Sequence, residues 1–339
     1  MTYNIAIVGA TGNVGREMLK LLFERKFPVK NLFLLASKKS KGKRINFSEN
    51  KSYVVEDLQT FDFKDVDISL FSPGSKISSE FVPIATKAGS IVIDNTSQFR
   101  MHEDVPLIIP EVNPEELKKV YKRRIISNPN CSTIQMLVPL KPLHDAFRIK
   151  RIVVSTYQST SGAGKEAMEE LREQSLNLDS HSFNPKKSKF TKEIAYNAIP
   201  HIDSFLEDGS TKEEWKMENE TKKILDSNIK IHANCARIPT FVGHAEYINI
   251  ETEKPMKVES VKEILSSSNG VSVISENRDG AYMTPKDCEG RDDVFVSRIR
   301  KDSSLKNALS FWCCCDNLRK GAALNAVQIA EELLKRSII

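Results

Sequence analysis

Gly9-Ala10-Thr11-Gly12-Asn13-Val14-Gly15 stands between the apolar run Asn4-Ile5-Ala6-Ile7-Val8 and a segment whose Val14, Met18, Leu21 and Leu22 recur at helical spacing. A buried strand, a glycine turn and an amphipathic helix, in that order, form the first half of a βαβ unit, and Leu32-Phe33-Leu34-Leu35-Ala36 supplies its second strand. Glycines at such a turn let the backbone approach a pyrophosphate, while the helix that follows offers unpaired N–H groups and a partial positive charge. Glycines also serve packing there. The spacing is GxxGxxG rather than the commoner GxGxxG, so the motif takes its meaning from the strand before it and the helix after it.

Outward from this unit, apolar runs at Asp67-Ile68-Ser69-Leu70-Phe71 and Ser90-Ile91-Val92-Ile93 flank a helix-length segment, which predicts further parallel strands covered on both faces. From about Lys150 the texture changes. Longer β-branched runs appear, Ile152-Val153-Val154-Ser155-Thr156 and then His244 to Glu251, separated by a polar stretch at 180–215. A second, α+β domain with a more antiparallel sheet is expected. After an apolar strand at 309–313, Ala323, Ala326, Val327, Ala330 and Leu334 mark an amphipathic helix that returns to the first domain. The expected fold class is therefore α/β, a Rossmann-type doubly wound parallel sheet over 1–130 completed by a C-terminal helix within 317–339. The second domain covers 131–316.

The 339 residues carry 50 basic and 45 acidic side chains, with 40% apolar and 28% charged content. Collagen, coiled coil and disulfide scaffold are excluded by that composition, and a net charge of +5 spread along the chain is too small to make nucleic acid or an anionic membrane the main partner. No apolar run approaches the roughly 20 residues of a bilayer-spanning helix, and the first strand is not preceded by a charged-then-apolar leader. A cytoplasmic address is expected, with the six cysteines reduced.

The end of the second strand bears on which dinucleotide binds. An NAD site places an acidic residue there for the ribose 2′-hydroxyl, whereas this chain has Ser37-Lys38-Lys39-Ser40, whose cations and hydroxyls suit the 2′-phosphate of NADP. A solvated basic loop is the alternative for each lysine taken singly.

Asn128-Pro129-Asn130-Cys131-Ser132-Thr133-Ile134 places a cysteine after a proline turn, at the start of an apolar segment expected to be helical as far as Pro139. A helix N-terminus stabilises a thiolate, which makes Cys131 a candidate nucleophile. Most cysteines are buried small hydrophobes, but the polar company of Asn130, Ser132 and Thr133 argues against that here. His244, after Pro239 and Gly243 at the edge of a strand, is the candidate base, with a hydrogen-bonded structural histidine as the alternative. Arg237 in the same segment suits a bidentate grip on a carboxylate. Glu220 and Lys223 lie three apart on one helix face, which by itself reads as a solvated ion pair. Ser161-Gly162-Ala163-Gly164-Lys165 is a second small-residue turn, able to cradle part of a cofactor or simply to bend the chain.

Taken together, GATGNVG at 9–15, DNTSQFR at 94–100, NPNCSTIQM at 128–136, YQSTSGAGKEAMEEL at 157–171, ENETKKIL at 218–225, CARIPTFVGHAE at 235–246 and DNLRKGAALNAVQIAEEL at 316–333 closely resemble the aspartate-β-semialdehyde dehydrogenase family. The resemblance implies a phosphorylating aldehyde dehydrogenase that interconverts aspartate semialdehyde, inorganic phosphate and NADP⁺ with aspartyl 4-phosphate and NADPH, in the biosynthesis of lysine, methionine, threonine and diaminopimelate. It implies Cys131 as nucleophile, His244 as acid–base group and Gln158 as the residue orienting a thioester intermediate. Arg237 would hold the substrate carboxylate and Glu220 its ammonium, while Arg100, Asn130 and Lys223 would bind phosphate. For NADP it points to Gly9, Thr11, Gly12, Asn13 and Val14, to Ser37 and Lys39 at the 2′-phosphate, to Gly162, and to Asn317 near the nicotinamide. The residue matching Lys39 is often arginine in the family. The second domain would be catalytic and would supply the interface of a homodimer or homotetramer.

N-acetyl-γ-glutamyl-phosphate reductase runs the same chemistry on a longer substrate with a blocked amine, and Glu220 speaks against it. A non-catalytic homologue would have lost the cysteine or the histidine. No metal site is expected, since the cysteines at 131, 235, 288 and 313–315 lack paired CxxC spacing. Cys313, Cys314 and Cys315 end an apolar strand, so their side chains alternate between faces and cannot line one site; they read as small buried hydrophobes in place of valine or alanine.

Overall fold

The computed structural model describes residues 1–48, 51–177, 184, 186 and 188–339. Part of the expected polar stretch, at 180–183, 185 and 187, lies outside the described residues. The chain forms two compact units, Met1–Asn130 with Ala322–Ile339, and Cys131–Gly321.

The first unit is built on β1 (Tyr3–Val8), α1 (Asn13–Glu24), β2 (Val29–Ala36), the hairpin of β3 (Arg44–Ser48) and β4 (Lys51–Asp57), β5 (Ile68–Phe71), α2 (Ser75–Lys87), β6 (Ile91–Asp94) and β7 (Ile125–Ser127). Its strands order as β3-β4-β2-β1-β5-β6-β7, every neighbouring pair parallel except β3 with β4. Alternation along β1 shows why the sheet is covered twice: Ile5 and Ile7 enter one apolar cluster with Met18 and Leu22 of α1, whereas Ala6 and Val8 enter another with Phe81, Val82 and Ala85 of α2. The chain leaves β1 for β2 on one side and the sheet continues through β5 on the other, so the ends of β1 and β5 form the switch point where such sheets bind ligands.

The second unit contains α3 (Cys131–Phe147), β8 (Ile149–Gln158), α4 (Lys165–Leu176), α5 (Lys212–Ile224), β9 (Lys230–Arg237), β10 (His244–Thr252), α6 (Val258–Ser266), β11 (Val271–Val273), α7 (Pro285–Cys288), β12 (Val294–Lys301) and β13 (Ala308–Cys315). Its sheet, β11-β12-β13-β10-β8-β9, is mixed rather than antiparallel, with β8–β9 and β11–β12 running parallel. Helix α8 (Leu324–Lys335) follows a π-type turn at Arg319–Ala323, and its Leu324, Val327 and Leu333 complete the α1-side core of the first unit.

Helix α3 does not stop at Pro139 as its sequence suggests, but runs through Pro139 and Pro142. Proline removes the N–H that would bond the carbonyl four residues earlier, here Gln135. That carbonyl accepts the Cys313 thiol at 3.6 Å instead, and the Gln135 side chain donates back to the Cys313 carbonyl at 3.1 Å. Burial of almost every residue from Ser132 to Leu140 holds the helix together across the break. Among the described residues no helix is long and apolar enough to cross a membrane.

Candidate active site

In the first unit, Gly9 has φ +86°, and a Cβ on it would sit 2.8 Å from the Ser72 carbonyl group, so the turn closes against the loop after β5 only because residue 9 lacks a side chain. Gly12 begins α1, with Asn13 and Val14 in its first turn, and no acidic side chain there competes for an anion. A cavity opens over this turn. Gly9, Thr11 and Gly12 form its floor, Ser37 and Lys38 one wall, and Leu58, Pro73 and Ile77 an apolar slot. Both lysines of this short turn are exposed, and of the two Lys38 lines the cavity. These groups fit a dinucleotide: a pyrophosphate at the helix start, cation and hydroxyl at the ribose, apolar walls for a base.

The DNTSQFR segment follows β6, whose Asp94 stands in the same row of strand ends as Phe71 and Val8. Asp94, buried, accepts hydrogen bonds from Thr96 N, Thr96 Oγ1 and Ser78 Oγ at 2.9–3.0 Å. Burial raises its carboxyl, and these donors with the nearby Arg100 oppose that rise. Arg100, also buried, donates Nη2 to the Asn95 carbonyl at 2.9 Å, and Asn130 is buried at the end of this unit's first segment.

The second unit assembles the remaining candidates by sheet register. Cys315 pairs with His244 and Gln158 with Arg237; His244 and Gln158 come opposite one another one step beyond the Ala245–Tyr157 pair. Cys315, His244, Gln158 and Arg237 therefore form one row across β13, β10, β8 and β9. Two residues along, Cys313, Glu246, Thr156 and Cys235 form a second row on the same face. Helix α3 lies on this face: Gln158 Nε2 donates to Ser132 Oγ at 2.5 Å and to Glu213 Oε1 at 3.0 Å. Its first residue, Cys131, has Gly321 against it, where a Cβ would come 3.0 Å from the cysteine's own Cβ. None of the six cysteines is in a disulfide, and Cys131 alone of them is not buried.

His244 Nδ1 is held by Ser159, from N at 3.1 Å and Oγ at 3.0 Å. Burial, reinforced by the Arg237 guanidinium, lowers its pKa to about 3, so the imidazole is neutral. Arg237 donates Nη1 to the Ser159 carbonyl at 2.7 Å and interacts with both Glu213 and Cys131. A Cβ on Gly162 would lie 3.2 Å from both Arg237 Nη1 and His244 Nε2. Asn317 joins the turns: its Oδ1 accepts from Gly243 N at 2.9 Å and from Ser159 Oγ and Ser161 Oγ at 3.1 Å.

A capping box between Thr211 and Glu214 starts α5, which places Glu213, Met217, Glu220 and Ile224 on its buried face. Glu220 is thus buried rather than part of a solvated pair, and Lys223 is half-buried on the next turn. Motif reading passed over Ser159, Glu213, Glu246 and Gly321. A serine or glycine in a small-residue turn carries no chemical signature of its own, and Glu246 is distinguished only by its burial. The cysteine triplet divides as strand alternation requires: Cys313 and Cys315 face the site, and Cys314 packs with Cys288 and Phe295 on the other face. Two of these thiols do more than fill space, since Cys314 Sγ also donates, to the Met283 carbonyl at 3.4 Å. Among the described residues, no three His, Cys, Asp or Glu are placed to hold a metal ion.

Residues 4–120 match the semialdehyde dehydrogenase NAD binding domain and residues 140–320 the semialdehyde dehydrogenase dimerisation domain. The chain is 53% identical to an aspartate-semialdehyde dehydrogenase of Aquifex aeolicus, with all of both chains covered, and 48% identical to aspartate-semialdehyde dehydrogenase 2 of Vibrio cholerae over 98% of each. A crystal structure of aspartate semialdehyde dehydrogenase II from Vibrio cholerae, complexed with ASA, superposes with TM-score 0.95 at 47% identity, covering 99% of each chain. The enzyme of Candida albicans with NADP superposes with TM-score 0.76 at 26% identity over the full length of both. The chain belongs to the aspartate-semialdehyde dehydrogenase family.

Proposed function

We propose that this enzyme reduces L-aspartyl 4-phosphate with NADPH to L-aspartate 4-semialdehyde and inorganic phosphate, reversibly, in the cytoplasmic biosynthesis of lysine, methionine, threonine and diaminopimelate. The observation that carries the reading is the meeting, in one unit, of the single unburied thiol at a helix start with His244, Gln158 and Arg237 aligned across the underlying sheet.

In the oxidative direction Cys131 attacks the aldehyde and becomes the thioester that phosphate later displaces. His244 serves as the acid–base group at the substrate oxygen, and Gln158, anchored on Ser132 and Glu213, orients the acyl group. Arg237 uses one N–H on Ser159 and offers the rest of its fork to the substrate carboxylate. Glu220 meets the ammonium, and Arg100, Asn130 and Lys223 bind the phosphate. Concentrating and orienting a phosphate dianion is the service cations give best, since water competes with it for the thioester.

NADP⁺, when bound, accepts the hydride. Gly9, Thr11, Gly12, Asn13 and Val14 hold its pyrophosphate, and Ser37, with Lys38 in the cavity and Lys39 beside it, holds the 2′-phosphate. Gly162 and Asn317 border the nicotinamide. The second unit supplies the interface of at least a homodimer. The test is phosphate-dependent reduction of NADP⁺ with aspartate semialdehyde, repeated with NAD⁺ and with N-acetylglutamate semialdehyde. Turnover only with the N-acetylated substrate transfers the enzyme to the neighbouring reductase activity, and equal rates with NAD⁺ remove the 2′-phosphate assignment.

A further inference from the structure

A run of side-chain amides joins the strand ends of the first unit to the start of α8. Asn325 Nδ2 donates to the Ile108 carbonyl at 3.0 Å and to Asn128 Oδ1 at 2.7 Å. Asn128 Nδ2 in turn donates to the Ala322 carbonyl at 3.2 Å and to Asn95 Oδ1 at 2.5 Å. A main-chain carbonyl can only accept, so Ile108 and Ala322 fix which way the Asn325 and Asn128 amides face, and Asn95 has to present its oxygen. Asn128 and Asn325 are fully buried and use both N–H groups on these four acceptors. Asn95 is half-buried.

The run ends beside a residue of the proposed phosphate set. Pairing of β6 with β7 stops at Asp94 and Ser127, after which Asn128 N donates to the Asp94 carbonyl and Asn95 N to the Phe71 carbonyl, both at 2.8 Å. Beyond that point the Asn95 carbonyl accepts Arg100 Nη2 at 2.9 Å, so the orientation of residue 95 sets where the guanidinium stands. Asn130, which belongs to the same set, follows Asn128 by two residues.

We infer that Asn128 is a positioning residue for the phosphate-dependent half of the reaction: its amide locks the loop after β6, and through the Asn95 carbonyl the Arg100 guanidinium, to the segment that carries Asn130. The inference rests on the function proposed above and adds to it a residue that acts through another. Phosphate has to reach the thioester along one line and in competition with water, so its rate depends on how firmly its cation is oriented. Alanine at position 128 leaves Asn95 Oδ1, the Ala322 carbonyl and one N–H of Asn325 without their partner, and frees residue 95 to turn. Thioester formation needs no phosphate and is untouched by that movement.

The test compares Asn128→Ala, Asn95→Ala and the double variant of the full-length enzyme. Rapid mixing with NADP⁺ and aspartate semialdehyde, without phosphate, reads the NADPH burst of thioester formation; steady-state rates over a range of inorganic phosphate read its KM. Expected are a burst like that of the wild type and a KM for phosphate raised about tenfold in each single variant, a displacement well below an ångström being enough. The double variant should be no worse than the more affected single one, because both remove the same hydrogen bond. Asn95→Ala, at a half-buried position, carries the test alone if Asn128→Ala does not fold. An unchanged KM for phosphate, effects that add in the double variant, or a burst that falls in step with turnover overturns the inference. Melting temperature supplies an arm without turnover: the rise caused by inorganic phosphate should need about tenfold more phosphate in the variants. Failure of the proposed function, seen as no phosphate-dependent NADPH formation by the wild type, is separately visible from that arm.

Discussion

Cys313 and Gln135 exchange hydrogen bonds across the sheet–helix interface, thiol to carbonyl at 3.6 Å and side-chain amide to carbonyl at 3.1 Å. The thiol serves the carbonyl that Pro139 deprives of its helical donor. Neither valine nor alanine can do this. Cys313→Val should therefore lose about 1 kcal/mol in urea unfolding, the order of a buried acceptor left without a partner, despite its larger apolar side chain. A valine variant as stable as the wild type would return the cysteine to a packing role.

Cys131→Ala should fold normally and bind NADP⁺ as tightly as the wild type, because the nucleotide cavity lies within the other unit. Its phosphate-dependent NADPH formation should vanish, since removal of a covalent nucleophile removes the route. Appreciable turnover by this variant sinks the thioester mechanism.

Gly162→Ala adds a methyl 3.2 Å from both His244 Nε2 and Arg237 Nη1. Displacement of either group by a fraction of an ångström should lower kcat/KM for aspartate semialdehyde by about 10²-fold, with the melting temperature little changed. Steady-state kinetics alongside thermal unfolding separate this from a general loss of structure.

Lys38→Ala should raise KM for NADP⁺ more than Lys39→Ala does, because of the two exposed lysines Lys38 lines the cavity and Lys39 does not. Ser37→Asp should move the NADP/NAD ratio of kcat/KM toward NAD by at least about tenfold, as a carboxylate repels the 2′-phosphate and accepts a 2′-hydroxyl. Measuring both cofactors with each variant decides which lysine matters.

Glu246 is fully buried, which raises its pKa well above the carboxylate range, with the Ser132 hydroxyl opposing. An acid raised on folding leaves stability intact below its unfolded pKa of about 4.3 and erodes it as pH rises, because the unfolded chain ionises first. Glu246→Gln should match the wild type near pH 4 and become progressively the more stable toward pH 8. Melting temperatures across that range test the sign, and a constant difference would contradict it.

The strand–glycine–helix start, the parallel strands and the amphipathic last helix were legible because each has its own period and its own punctuation within a dozen residues. Cys131 was legible for the same reason, as a thiol in polar company at a predicted helix start. The β3–β4 hairpin, the short β7 and the passage of α3 through two prolines were not, since each is stabilised by neighbours distant in the chain. Glu220 illustrates the limit well: three residues from Lys223 on a helix it reads as half of a surface ion pair, and only packing buries it.

By itself the sequence determined two domains, a dinucleotide turn with no acid at the end of β2, and a thiol at the start of a helix. Tertiary structure alone decided the register that lines up Cys315, His244, Gln158 and Arg237, the Ser159 contact that holds His244 Nδ1, and which lysine lines the cavity. The division has one physical cause. Periodicity and turn chemistry act over a few residues, whereas hydrogen bonds between His244 and Ser159, 85 residues apart, or between Cys313 and Gln135, 178 apart, exist only once the sheet has brought the strands together.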